Sequence, residues 1–559
     1  VNKKYGADVL LNYRMPKFNV YVGGNFNSRY FPGTAEQISR TFRNDTTYFV
    51  NSTGEMSRQF EMYGLQSGFD WNITDNDLLG VGLRYSDRTF SMQDETDYYE
   101  RQNPGVSTNE YISLSEMQRG GADVSIQANY RHQFEKRGHE LTAEADYERE
   151  RDTGDNTDEL FSLQGELQSG RRAVEKGPEQ QLRLKLDYTL PLREKDRFEA
   201  GYQSRISASS ETNELYEYRP GTENYEFLDE YSHTTEYDRS IHSLYSLYAA
   251  QLGRLGIQGG LRGEYTYRQV ALVGENENST IDRWDYFPTL HASFELAQNQ
   301  QTMASYTRRI DRPRGYYFEP FITWMDAYNV RRGNPGILPE YIDSYEASYQ
   351  RNVGKSLFSL EGYYRITRNK IERVQSVYSE TVMLHTVDNV GEDYTLGAEM
   401  MLNMDTFKWW NINLMGNLYR YRIEGMIDNE FFSQSSRNWD VRFNNTFNLT
   451  SSSRLQINMS YNSPSVSAQG RREGYFATNV AMRQTFLQDK LEVILQARDI
   501  FATAKYQFTA EGANFYRESR FTREAPVYTV TLNYSINNYK RQRQGGENMG
   551  GGDGGFEEM

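Results

Sequence analysis

From Leu255 onward, apolar and polar residues alternate. Leu255, Ile257, Leu261, Tyr265 and Tyr267 share one phase, and Gln258, Arg262, Glu264, Thr266 and Arg268 the other. A period of two puts these sets on opposite faces of a β-strand, one apolar and one charged. The same alternation returns at Val124–Arg131, Leu141–Glu148, Leu182–Tyr188, Leu455–Tyr461, Leu491–Arg498 and Tyr528–Ile536. About 21 such segments can be counted, most of ten residues or longer, against about five or six for ordinary strands. That length suits a hydrocarbon layer crossed at a tilt, which takes roughly 9–11 residues. Aromatic residues tend to close the segments, as at Phe69 and Trp71, Tyr265 and Tyr267, or Trp409 and Trp410, where the girdles of a membrane interface belong. A soluble β-sandwich or propeller also alternates, but with shorter strands and without a charged row opposite the apolar one.

The links between segments alternate too. Short ones fall at Met15–Lys17, Thr74–Asp77, Glu135–Gly138, Leu192–Asp196, Gly253, Gln298–Gln300, Gly354, Met404–Thr406, Thr450–Ser453 and Leu487–Asp489. Long polar loops are expected between them, at about 30–58, 95–119, 151–179, 210–238, 270–282, 313–340, 370–389, 424–436, 463–474 and 503–523. Tight turns on one rim and long loops on the other are the build of an antiparallel transmembrane outer-membrane β-barrel, turns toward the periplasm and loops outside. All 13 Pro are assigned to links, loops or strand ends, which spares the hydrogen-bond ladder. The first strand, Gly6–Arg14, and the last, Val527–Ile536, both end on the short-turn side, so the visible number is odd. A closed single-chain bacterial barrel has an even number, so 22 strands are expected, with the first strand and whatever precedes it missing from the sequence. Residues 1–539 are read as barrel. Residues 540–559, Lys540–Arg543 followed by a glycine-rich run, are read as a flexible periplasmic tail.

Composition narrows the function classes. Of 559 residues, 62 are basic and 77 acidic, for a net charge of -15, and 14% are aromatic, with 44 Tyr and 29 Phe. A mean hydropathy of -0.82 leans toward disorder, but disordered chains are poor in aromatics. The absence of Cys removes disulfide frameworks, thiolate metal sites and cysteine nucleophiles. No run of 18 apolar residues occurs, and no signal peptide is visible at the start, as expected if the first part is missing from the sequence. The negative charge and the lack of a basic stripe argue against nucleic acid. Neither a phosphate-cradling loop nor a His-Glu-x-x-His is found, and the six His are dispersed. No enzyme activity and no cofactor are therefore expected.

Tyr306-Thr307-Arg308-Arg309-Ile310-Asp311-Arg312-Pro313 is followed by Gly333-Asn334-Pro335-Gly336-Ile337-Leu338-Pro339-Glu340, and later by Arg498-Asp499-Ile500-Phe501 and a closing alternating strand. In this order, with barrel periodicity, the chain resembles the barrel portion of TonB-dependent receptors, and more closely the outer-membrane β-barrel family common in Bacteroidetes. Gly333, Asn334, Pro335, Pro339 and Glu340 carry the resemblance to an Asn-Pro-x-Leu-Lys-Pro-Glu signature; Ile337 stands for its Leu and Leu338 for its Lys. The resemblance implies uptake of a nutrient such as a peptide, glycan or metal chelate through a plug-gated lumen in the bacterial outer membrane. TonB would be a partner only if a plug precedes the sequence. The alternative is a structural or accessory barrel in a larger membrane complex, binding a surface lipoprotein. Outer-membrane lipid and lipopolysaccharide are partners in either case.

Candidate residues follow from the two faces and the loops. Arg84, Arg131, Arg183, Arg205, Arg262, Glu264, Arg365 and Arg498 fall on the inward phase and are read as lumen wall. The segment from Arg312 to Glu340 holds four of the 13 Pro, with Tyr316, Tyr317, Phe318, Phe321, Trp324 and Tyr328 among them. It is either a ligand platform or a small core capping neighbouring loops. Tyr225, Phe227 and Tyr231 lie in a second, acidic aromatic loop. Asp152, Asp155 and Asp158 faintly suggest a Ca²⁺ loop but lack the order and the closing Glu of an EF-hand, so a solvated acidic loop is preferred.

Overall fold

A computed structural model describes residues 4–105, 108–193, 195–275, 278–405 and 407–536; the 540–559 tail lies outside them. The described chain is β-structure apart from two short 3-10 turns, Asp229–Tyr231 and Gly315–Phe318. Of its 28 strands, seven belong to the connections of one rim and 21 form the wall, paired antiparallel in chain order. The expected tight turns lie on the other rim, those at Leu192–Asp196 and Met404–Thr406 each including one residue, Glu194 and Thr406, outside the described ones. At two of them, Leu252 pairs with Leu255 and Val353 with Ser356 across two residues. Gly253 (φ 63°) and Gly354 (φ 60°) come first in these turns, where the primed hairpin types need a positive φ.

Burial is inverted relative to a soluble protein. Leu65, Leu83, Ile126, Leu186, Leu261, Leu290, Leu396 and Leu418 are all exposed, from 44% to 62%, in the turn-proximal halves of eight wall strands. Asp123, Glu264, Arg268, Asp343 and Asp393 are buried. An apolar belt of this extent on the outside is a lipid-facing surface, since soluble monomers rarely expose contiguous apolar patches of more than a few hundred Å². The charged row faces inward and pairs across strands, as in Arg183–Asp146 (3.0 Å) and Arg365–Glu346 (3.5 Å).

Several expected loops prove to be strand. Phe18–Arg43 and Thr46–Asn72 run for 26 and 27 residues, and only Asn44 (φ 48°) and Asp45 (φ 60°) turn between them. Asp428 (φ 52°) and Asn429 (φ 65°) do the same between Trp410–Ile427 and Glu430–Asn448. The segments near 95–119 and 151–179 are likewise mostly strand. The reason is physical: the apolar row stops where a strand leaves the lipid, but the hydrogen-bond ladder continues into water.

The same extension places three Pro inside strands, against expectation, and in each case a neighbouring ladder is interrupted there. Pro32 sits between the last rung to the first strand, at Arg29, and the first rung to Phe515–Arg523, at Gly33. Pro178 lies where pairing with Arg197–Arg219 skips from Lys176 to Glu179. Pro288 immediately precedes Thr289, where pairing with Gln300–Asp311 begins.

The edges of the sheet are also defined. Lys4–Arg14 pairs with Asn19–Arg29, and Val527–Tyr534 with Leu491–Arg498; no ladder joins these two outer strands to each other among the described residues. Above them Gly33–Thr41 pairs with Phe515–Arg523, bridging the wall on the loop side. Lys4 Nζ reaches Glu524 Oε2 (2.5 Å) across the same gap.

Candidate functional site

The connection between the wall strands Gln300–Asp311 and Glu340–Val353 does not stand out from the rim. It folds inward and touches strands far apart on the circumference. Tyr328 stacks on Tyr98 (4.4 Å between centroids), and the Trp324 ring lies under Arg171 (3.7 Å). Phe321 packs on His233 (4.7 Å), and Phe318 lies under Arg268 (3.8 Å). Asn329–Arg331 adds in parallel to Met383–His385, and Arg517 donates to Asn329 Oδ1 (2.8 Å). Only a segment lying inside the ring reaches all of these. Phe318 and Tyr328, two of the candidate ligand aromatics, are 1% and 5% exposed and pack against the wall. Phe318 forms a small core with Val270, Ile337 and Val387, with Tyr237, Tyr317 and Ile371 around it. Tyr316 meets Tyr317 edge-on (4.6 Å) and reaches Arg331 (5.2 Å).

The resembling motif closes this connection. Gly333 N donates to Glu319 O (2.7 Å) and Asn334 N to Tyr317 O (2.6 Å). A Cβ at Gly333 would lie 2.6 Å from Tyr317 O, so glycine is required by proximity. Asn334 Oδ1 accepts from Gly336 N (2.9 Å), and Pro335 O from Ser279 Oγ (2.7 Å). Pro339 O accepts from Asn369 Nδ2 (3.2 Å). The buried Glu340 accepts from Lys370 Nζ (3.1 Å) and Ile371 N (2.6 Å). The five motif residues thus anchor the inward segment back onto the wall.

Inside the mouth lies a set of buried polar groups well above the roughly ten residues nearest the turns that cross the lipid. Asp326 accepts from Tyr328 N and Asn329 Nδ2 (both 2.8 Å), and burial raises its pKa. Asp158, hydrogen-bonded by Ser113 (3.2 Å), faces Asp326; burial, reinforced by that carboxylate, pushes it up to about 7. Burial likewise pushes Asp94 to about 6, and Glu319 to about 7 against the pull of Arg331, which donates to it (2.8 Å). His385, 3.1 Å from Arg517, is held neutral with a pKa of about 3 by burial and by Arg517 and Arg373. Sequence reading missed Tyr98, Asp326, Asn329, His385 and Arg517. They lie on separate elements, and only Asp326-x-x-Asn329 inside an aromatic run gave any local signal.

The other candidates scatter. Asp155 pairs with Arg172 (2.5 Å) and Arg88 approaches Asp152 (3.7 Å), while Asp158 is buried against Ser113 and Asp326. A period of two puts Asp155 on the opposite face from Asp152 and Asp158, and no group of metal-ligating side chains forms among the described residues. Tyr225 donates to Glu159 (2.5 Å); Phe227 is exposed beside Tyr216, and Tyr231 is half-buried. Arg84 bridges Asp123 and Glu148 (3.6 Å each), and Arg262 and Arg312 share Glu264 (2.5 and 2.6 Å). Arg131 and Arg498 lie near the turn-side and loop-side ends of their strands. His242 contacts Ser204 (3.1 Å) on the phase of the exposed Leu244, which is the outward face.

Residues 132–534 match the family model described as outer membrane protein beta-barrel family. No curated protein matches the sequence. Among solved structures the fold is similar to the ferric citrate transporter FecA in its unliganded form, with a TM-score of 0.57, 12% identity, and 93% of this chain and 78% of that one covered. It is similar to the ferripyoverdine receptor of the outer membrane of Pseudomonas aeruginosa (TM-score 0.56, 12% identity, 94% and 72% covered). It is similar also to the ferric yersiniabactin uptake receptor FyuA from Yersinia pestis (TM-score 0.55, 10% identity, 90% and 85% covered). At these identities the likeness is one of fold. The match over most of its length, the lipid-facing belt and the charged interior together show that the chain belongs to the outer membrane protein β-barrel family of the bacterial outer membrane.

Proposed function

We propose that the protein is an outer-membrane receptor that admits a nutrient through its lumen, of the TonB-coupled kind and of the type common in Bacteroidetes. One observation carries the reading: a charged passage crossed by an inward-folded segment, residues 312–339, which leaves the wall between Gln300–Asp311 and Glu340–Val353 and is pinned to strands distant in the wall by Tyr328–Tyr98, Trp324–Arg171 and Asn329–Arg517. A scaffold barrel has no need of a closed polar passage, whereas an importer must exclude other solutes until its ligand binds. The solved structures of similar fold named above are described as a transporter, an uptake receptor and a receptor, which supports the same reading. Ligand capture at the mouth would loosen the segment, and movement of a plug coupled to TonB would open the way.

The test compares host strains with and without TonB, each expressing the full-length gene, by mass-spectrometric depletion of nutrients from the medium. Import that requires both TonB and the barrel is expected. Depletion identical in all strains would favour the accessory role in a larger complex.

A further inference from the structure

On the inner wall above Glu264, the pairing of opposite charges breaks down. Most arginines there have a carboxylate: Arg183 has Asp146 (3.0 Å), Arg262 and Arg312 share Glu264 (2.5 and 2.6 Å), and Arg283 has Asp285 (3.3 Å). Arg205, Arg239 and Arg268 have no ion pair among the described residues. Arg239 stands directly opposite Arg268 in the ladder, and Arg205 directly opposite Arg183. Like charges in facing positions are destabilising. The charged groups acting on Arg205 are Arg239, Arg183, Arg312 and Arg262, all arginines. Glu179 acts electrostatically on Arg239 without forming an ion pair with it.

Arg268 is also 5% exposed. Its Nη2 donates to Pro335 O (3.5 Å) and it lies over Phe318 (3.8 Å), but its Nε and that of Arg239 are buried without a hydrogen-bond partner, in a cleft between the wall and Phe318. A buried guanidinium with a carbonyl and an aromatic face but no counter-charge is costly unless an anion meets it. In a chain of net charge -15, a local run of unpaired cations is not a by-product of composition.

We propose that Arg205, Arg239 and Arg268 form an anion-binding site on the inner wall, whose ligand is a small soluble polyanion bearing carboxylate or phosphate groups. Facing and diagonal positions on neighbouring strands lie roughly 5–8 Å apart, which sets the spacing of the anionic groups. Guanidinium forks suit such oxyanions by bidentate pairing. The inference deepens the receptor reading and rests on it only for the claim that this anion is cargo.

The test is titration of the full-length protein, in detergent, with inorganic pyrophosphate as probe, at an ionic strength held constant with sodium chloride. Saturable binding that raises the thermal midpoint is expected. Arg205→Gln and Arg239→Gln should weaken it roughly tenfold or more each. Without the anion, each variant should unfold at the same or a higher temperature than the parent, because a like charge has been removed. Absence of binding to the parent, undiminished binding to both variants, or a lowered midpoint without anion would overturn the site; the last would reveal a structural carboxylate partner. Binding as expected, without TonB-dependent depletion of any nutrient, would retain the site and sink the receptor reading instead.

Discussion

Asp158 shows what the folded mouth does to a single carboxyl. Its pKa of about 7 lies above the ordinary value of about 3.9, so the native state keeps the proton. Below about pH 4 both folded and unfolded chains are protonated, and the stabilisation is fully present. It is lost as the pH rises toward 7, where the native carboxyl also ionises against Asp326. His385, held at about 3, has the opposite sign and costs stability as the pH falls below about 6.5. Asp158→Asn retains the neutral shape. It should therefore raise the thermal midpoint at about pH 8, by on the order of 2 kcal/mol, and leave it almost unchanged at about pH 4; a gain of equal size at both values would contradict the assignment. Gly333→Ala places a methyl against the Tyr317 and Glu319 backbone. A cost of roughly 1–3 kcal/mol is expected, seen as faster proteolysis within residues 313–332 while the barrel stays intact.

At the scale of elements, lipid contact decides which substitutions matter. Leu418, 62% exposed, lies eight residues above the start of its strand at Trp410. Leu418→Arg should cost about 2–4 kcal/mol if it lies near the midplane of the bilayer, measured by urea unfolding in lipid vesicles. A change within about 0.5 kcal/mol, normal for an exposed site in water, would remove it from the lipid. The strands and tight turns were legible because period two and turn chemistry are local. The outer hairpins were not, because Asn44-Asp45 and Asp428-Asn429 sit in polar surroundings that read equally well as loop. The apolar row, the signal that marks a membrane strand, ends below them. The motif from Gly333 to Glu340 was visible, but its task, closing an inward fold, depends on contacts with Tyr317, Ser279 and Asn369 that no local pattern encodes. The aromatic run from Tyr316 to Tyr328 left platform and core both open. Burial of Phe318 and Tyr328 favours the core.

At the scale of the whole molecule, the inversion of burial and the inward segment give an apolar exterior, a charged interior and a segment packed within it, which the proposed function requires to be displaced for uptake. The absence of Cys makes that displacement directly measurable. Tyr98→Cys and Tyr328→Cys, whose parent rings stack at 4.4 Å, can be joined on living cells by a short thiol cross-linker that reductant cleaves. Barrel-dependent nutrient depletion is expected to stop on cross-linking and resume on reduction, with either single variant unaffected. Undiminished depletion while the two positions remain joined would contradict a mouth that must open for uptake.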